Sequence, residues 1–352
     1  LWVELLKLKN VGLKYVGHVE LKRYRAGKKL QKNDASDSLA LAAYYHDNEH
    51  WENGELNNKF FLREMPIIIY KLRELLHQKD HLERQSVGFQ NYLEQRLSWE
   101  WLEAKRRDSQ SFYAYLSGKP FDKKYLTRQE NDYNKSISKS LGIEISQFSR
   151  NHASLLFDME TEIIRIEKEI VDIIYQPIFK DYMELFNRLG MGVSVKAFYL
   201  SIIFPFEQFL LNSCSELIEW ETREVKKTQK SHNNGQISVK FEAGDIKRVK
   251  KNRSRDGFKM ACGFGSYFDF SGDGWAEVTG GSSKCRRSSY LHILTTASKG
   301  IGHGDLAKEV LETTKEFKLE GNTGKLTKHQ QYKLASLVTN ILYRELKRQY
   351  CF

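Results

Sequence analysis

The stretch Phe258 to Leu294, FKMACGFGSYFDFSGDGWAEVTGGSSKCRRSSYLHIL, packs glycines, hydroxyls and cations together more densely than any other part of the chain. Gly263, Gly265, Gly272, Gly274, Gly280 and Gly281 permit tight turns and close backbone approach. Ser271 stands just before Gly272-Asp273-Gly274, which predicts a hydroxyl displayed on a turn rather than packed in a core. Lys284, Arg286 and Arg287 follow within one short element that runs into apolar Tyr290-Leu291-His292-Ile293-Leu294. A displayed serine with a cationic cluster nearby supplies what attack on a phosphodiester needs, a nucleophile and charge to hold the phosphate. The plainer alternative is a glycine-rich loop before a surface-basic helix. Asp269 to Gly274 also mimics the start of a calcium loop, but its twelfth position falls on Gly280, where a bidentate Glu is required.

Outward from this stretch, the chain has 352 residues, enough for two or three domains and a sizeable core. Lys+Arg of 56 against Asp+Glu of 45 gives a formal charge of +11. An excess of this sign favours an anionic partner, with nucleic acid first. No apolar run reaches the ~18 residues of a membrane span. The four cysteines, Cys214, Cys262, Cys285 and Cys351, form no zinc pattern and predict reduced thiols in a cytosolic protein. The chain starts at Leu1, already inside an amphipathic pattern, and no signal peptide precedes it; a missing true N-terminus is the expectation.

From the N-terminus, Leu13 to Tyr24 partly alternates and predicts a strand. Lys32-Asn33-Asp34-Ala35-Ser36-Asp37-Ser38 leads into a helix over Leu39 to Tyr45. Asp34 and Asp37 stand three apart at its start, so both carboxylates can share one face. They fit either an N-cap with an acidic first turn or a pair of ligands for Mg²⁺, which prefers carboxylate oxygens. Glu49 to Gly54 predicts a loop. The H-x-x-E-H spelled by His46 to His50 lacks the continuous helix that a zinc protease needs. Pro66 opens a long helix to about Arg107, with apolar Ile69, Leu72, Leu76, Val87, Leu93 and Leu97. Residues 108–140 are polar and predict a linker or insertion. A second long helix over Ile145 to Asn187, broken near Pro177, carries a near-heptad seam of Leu155, Met159, Ile163, Ile166, Ile170 and Ile173 that Glu162 interrupts. The two helices predict an antiparallel coiled-coil arm or an ordinary helical hairpin. Leu189-Gly190-Met191-Gly192-Val193 resembles the turn of a helix-hairpin-helix, where backbone N–H groups meet phosphate, and a plain inter-helix turn fits as well. Residues 221–256 are polar and basic and predict a mobile insertion whose cations, Lys251 and Arg253 among them, track a nucleic-acid backbone.

The order of these pieces resembles the Piv/MooV (IS-one-ten, DEDD) family of insertion-sequence transposases, the bridge-RNA-guided recombinases. Lys32 to Ala42 is similar to the family's K-x-D-x-x-D-A-x-x-L-A signature, with Ser38 for the usual alanine. The long charged helices are similar to its coiled-coil region, Gly190-Met191-Gly192 to the start of its C-terminal domain, Ser271-Gly272 to its S-G motif, and Gly281 to Leu291 to its G-s-x-x-x-R-x-x-L-Y region with the last two residues reversed. The resemblance implies a partial RNase H-like (RuvC-like) α/β domain over 1–55, a coiled-coil arm over 66–188, and a mostly helical C-terminal transposase domain over 189–352. It implies Asp34 and Asp37 as Mg²⁺ ligands and Ser271 as the residue linked covalently to cut DNA. Lys284, Arg286, Arg287, Gly190, Gly192, Lys251 and Arg253 are the expected nucleic-acid contacts. The implied activity is DNA recombination by an oligomer with a guide RNA, in the bacterial cytoplasm beside the nucleoid. The family's first Asp and its Glu have no counterpart in the chain, so the alternatives are a truncated copy that only binds nucleic acid, or a coiled-coil scaffold.

Overall fold

The computed structural model describes all residues except 1–4, 7, 10, 32, 50, 53–54, 57–60, 62–64, 105–107, 138–139, 141, 211–213, 225–228, 234–235, 242–243, 272–273, 298–303, 321–324 and 352. It is mostly helical, with β-structure confined to antiparallel two-stranded pairs. The chain divides into two compact units, one of residues 1–67, 204–258 and 350–352, the other of 68–203 and 259–349. No described helix is long and apolar enough to cross a membrane.

In the first unit, α1 (His18–Gly27) replaces the expected strand. Leu21 and Tyr24 are spaced by three, which fits a helix face better than a strand. Helix α2 (Asp34–Asn48) packs on α1 through Tyr24 and Tyr44, whose rings meet edge to face at 5.2 Å. The predicted loop at residues 49–54 contains a strand, β1 (Trp51–Glu52), paired with β2 (Glu55–Leu56).

The basic segment over 221–256, expected as a mobile insertion, carries paired strands among its described residues. Strands β3 (Ile218–Glu224) and β6 (Ile246–Asn252) pair in register, and β4 (Gln229–Asn233) pairs with β5 (Gln236–Phe241). The β3–β6 pair (the arm) and the β4–β5 pair are separate two-stranded sheets. The sequence between the innermost partners, Asn234-Gly235, is the strongest short-range hairpin signal. Leu217 N–H donates to Ser254 Oγ at 2.8 Å and Arg253 N–H to Leu217 C=O at 2.8 Å, which fastens the arm's base to α9 (Arg253–Ala261). Phe258 of α9 is fully buried, with Phe209 at 5.0 Å and Phe206 at 5.9 Å.

The second unit is built on α3 (Ile67–Glu100) and α6 (Gln147–Ile174). Lys79–Glu167 near one end and Phe89–His152 and Tyr92–Phe148 near the other show that they run antiparallel. The buried seam of α6 is Ser149, Ala153, Leu156, Ile166, Ile170, Ile173 and Ile174, so Leu155 of the expected seam faces solvent; on α3, Val87 does likewise. Residues 108–140, expected as a linker or insertion, carry α4 (Gln110–Ser117) and α5 (Lys123–Ile137). Phe112, Tyr113 and Leu116 join Trp101, Leu93, Leu97, Ala153 and Leu156 in a buried core. After Pro177, α7 (Lys180–Arg188) and α8 (Val193–Ile203) lead to the rest of the unit: strands β7 (Gly265–Ser271) and β8 (Gly274–Gly280), then α10 (Ser283–His292), α11 (Asp305–Glu320) and α12 (Lys328–Cys351).

Candidate active site and nucleic-acid contacts

The residues around Ser271 are a hairpin rather than a loop. Tyr267, Phe268, Phe270, Trp275 and Val278 are strand formers, and β7 pairs with β8 from Gly265↔Gly280 to Ser271↔Gly274. Ser271 is thus the last paired residue of β7, separated from its partner by the two residues Gly272 and Asp273. The hairpin's base is pinned between two helices. Gly263 N–H donates to Met260 C=O at 2.9 Å and Phe264 N–H to Lys259 C=O at 2.8 Å, the Schellman closure of α9. Ser282 N–H donates to Ala261 C=O at 3.1 Å on the other side. Gly281 has φ +80, and a Cβ there would fall 1.6 Å from Met260 C=O, so only glycine fits this crossing.

Helix α10 starts with Ser282 as its cap, the hydroxyl accepting from Cys285 N–H at 3.1 Å. Cys285, Ser289 and His292 are buried, and Ser289 Oγ lies 2.7 Å from Tyr199 Oη, which fixes the helix on α8. The three expected cations therefore diverge. Lys284 Nζ lies 2.9 Å from Asp80 Oδ2. Arg286 Nη1 donates to Gly263 C=O at 2.9 Å, which makes it part of the hairpin's clamp. Arg287 is exposed, and its charge also acts on Asp80.

Asp34 and Asp37 occupy the first turn of α2, where Asn33 Oδ1 accepts from Ser36 N–H at 2.7 Å. Both carboxylates lie at the positive end of the helix dipole. Asp34 is exposed, whereas Asp37 is half-buried and ion-paired with Arg25 of α1. Among the described residues no group of three or more His, Cys, Asp and Glu gathers that could hold a metal ion. Asp34 and Asp37 alone supply two of the ~six oxygen ligands that Mg²⁺ takes, and Arg25 already sets a cation against one of them. They belong to the first unit and Ser271 to the second.

At the helix-hairpin-helix candidate, Gly190 N–H donates to Asn187 C=O at 2.9 Å and Met191 N–H to Phe186 C=O at 3.0 Å. These bonds close α7, so the two amides are already used. Gly192 is exposed with open space where a Cβ would stand. On the arm, Lys251 pairs with Glu221 at 2.9 Å, and Arg253 pairs with Glu219 at 2.7 Å and with Glu221. The two cations singled out there are thus matched by carboxylates of the neighbouring strand. Sequence reasoning gave no role to Trp220, and it grouped Arg248 and Lys250 with the other cations of residues 221–256 without separating them from Lys251 and Arg253.

The sequence matches no protein-family model, and it matches no curated protein.

Proposed function

We propose that this chain is the nucleic-acid-handling part of an insertion-sequence recombinase that cuts and rejoins DNA through a serine–DNA intermediate. The observation that carries it is Ser271, placed by the β7–β8 register at the hairpin's last pair, on a hairpin clamped at its base by Arg286 and Gly281. A rigid base under a terminal serine is the arrangement that positions a nucleophile. In the proposed step the Ser271 oxygen gives up its proton and forms a bond to phosphorus. The bond from phosphorus to a deoxyribose oxygen breaks, and that oxygen takes up a proton. Reversal with a different strand rejoins the DNA. Arg287, and Lys284 if it exchanges Asp80 for phosphate, would hold the phosphate oxygens.

Mg²⁺ belongs to the proposal with Asp34 and Asp37 as two of the residues that would hold it; bound there it would supply positive charge to stabilise a phosphate. A partial RNase H-like fold for residues 1–55, a guide RNA, a homo-oligomer and a place beside the nucleoid are parts of the same proposal. Support for them is the family resemblance and the +11 charge. One observation favours the binding-only alternative. Asp37 is engaged by Arg25, which gives that carboxylate a structural role without metal.

The experiment is to incubate the protein with donor DNA, its flanking RNA and Mg²⁺ and look for a denaturation-resistant protein–DNA adduct. The adduct is expected, and Ser271→Ala is expected to abolish it while DNA binding persists. An adduct that survives Ser271→Ala would take the serine out of the reaction. Nucleic-acid binding with no adduct at all would leave the binding-only reading.

A further inference from the structure

The hairpin arm has two chemically different faces. Opposed residues of an antiparallel pair share a face and successive residues alternate. Glu219 and Glu221 therefore lie on one face with Lys251, where they pair with Lys251 and Arg253. The other face carries Trp220 directly opposite Lys250, and Thr222 opposite Arg248. The Trp220 ring is 54% exposed, and the Arg248 guanidinium sits over it at 4.9 Å from the centroid. Neither Arg248 nor Lys250 forms an ion pair among the described residues, and both are exposed. Glu224, the carboxylate of β3 on this face, stands further out, opposite Ile246.

We infer that this face binds single-stranded nucleic acid, with an unpaired base stacked on Trp220 and the adjacent phosphates held by Arg248 and Lys250. The inference deepens the recombinase reading above and moves the arm's contact from Lys251 and Arg253 to the opposite side. An exposed indole flanked by unneutralised cations matches the two components of single-strand binding, a stacking surface and charge along the backbone. Duplex bases present no free face to the ring, so a single strand is preferred. Lys251 and Arg253, by contrast, would have to leave their carboxylates to contact phosphate.

The test uses the whole protein in EDTA, so that strand cleavage does not contribute, with labelled short oligo-U, oligo-dT and a short duplex in anisotropy titrations. Trp220→Ala is expected to weaken single-strand binding about tenfold or more, Trp220→Phe to retain most of it, and duplex binding to stay unchanged. Arg248→Gln with Lys250→Gln is expected to flatten the plot of log affinity against log salt by about 1.4 for the single strands, about 0.7 for each cation. That slope carries the test even if Trp220→Ala lowers the melting temperature. Tighter binding of oligo-U or of oligo-dT both support the platform and name the preferred sugar. Wild-type single-strand affinity in Trp220→Ala, equal losses on duplex and single strand, or an unchanged salt slope would each overturn it. Loss of the Mg²⁺-dependent adduct with these effects intact would sink the recombinase reading alone.

Discussion

Lys284 Nζ and Asp80 Oδ2 lie 2.9 Å apart, which ties α10 to α3 inside one unit. Burial pushes the Asp80 carboxyl up, but the hydrogen bond and charge of Lys284 outweigh it, with Arg84 and Arg287 adding to them, and hold it below the usual carboxylate range. Lys284 is therefore a matched charge, and phosphate must compete with Asp80 for it. Asp80→Asn removes the competitor. Nucleic-acid affinity is expected to rise, and the salt dependence on duplex DNA to steepen by about 0.9 in logarithmic slope. A partly exposed pair contributes at most about 1 kcal/mol, so folding is expected to survive. An unchanged slope would place Lys284 outside the interface.

Gly281 and Gly192 separate two reasons for a glycine. At Gly281 the φ of +80 and the carbonyl of Met260 leave no room for a methyl group. Gly281→Ala is expected to cost more than about 2 kcal/mol and to loosen the β7–β8 hairpin, seen as faster amide exchange over 265–280. At Gly192 nothing lies within 4 Å of the added Cβ. Gly192→Ala is expected to leave the melting temperature unchanged, so any loss of DNA binding would report backbone approach to phosphate there. Binding equal to the parent's would remove the helix-hairpin-helix contact.

Long-period features were legible in the sequence, and local pairing was not. The two long helices follow from apolar spacing sustained over many turns, and Ile69, Leu72, Leu93 and Leu97 are buried as expected. The burial of Phe112, Tyr113 and Leu116 within residues 108–140 was not legible because composition outweighed position, the segment being polar on average. The strand pairs β3–β6 and β4–β5 were not legible for the same reason, since charged and polar residues fill most of their positions and leave no apolar alternation; Asn234-Gly235 was the overlooked signal. Asp34 and Asp37 were placed correctly on a helix's first turn. Arg25, which decides what Asp37 does without metal, lies just past the segment read as strand, and no local pattern links the two.

Glu100 is fully buried at the end of α3 and accepts from Ser146 Oγ at 2.7 Å, from Ser146 N–H at 3.1 Å and from Arg96 at 2.7 Å. Ser146 in turn caps α6, its hydroxyl accepting from Ser149 N–H at 3.3 Å, so one carboxylate orders the start of the second long helix. Burial raises the Glu100 pKa, and the bonds from Ser149, Ser146 and Arg96 lower it further than burial raises it. A depressed carboxylate stabilises the fold above its unfolded pKa of about 4.3 and loses that contribution as pH falls through the folded value. Glu100→Gln is expected to cost about 1–3 kcal/mol at neutral pH in urea unfolding and to shrink the acid-side loss. Unfolding curves that coincide with the parent's at every pH would show that the clamp contributes nothing.

His292 provides a separate acid sensitivity at higher pH. It is only 3% exposed at the end of α10, and burial alone pushes its pKa down to about 4. In the unfolded chain an imidazole titrates near 6.5, so between these values the unfolded state binds the proton and the native state does not. The neutral ring's contribution is complete above about pH 6.5 and is lost as pH falls toward 4. A gap of this size corresponds to about 3 kcal/mol across the window. His292→Leu keeps an apolar group of similar bulk in the site and removes the titration. The parent's stability in urea is expected to decline between pH 6.5 and 4 more steeply than the variant's, while the two decline in parallel below pH 4. Parallel curves throughout would mean that the native ring takes up its proton at an ordinary pH, as it would if the end of α10 opened.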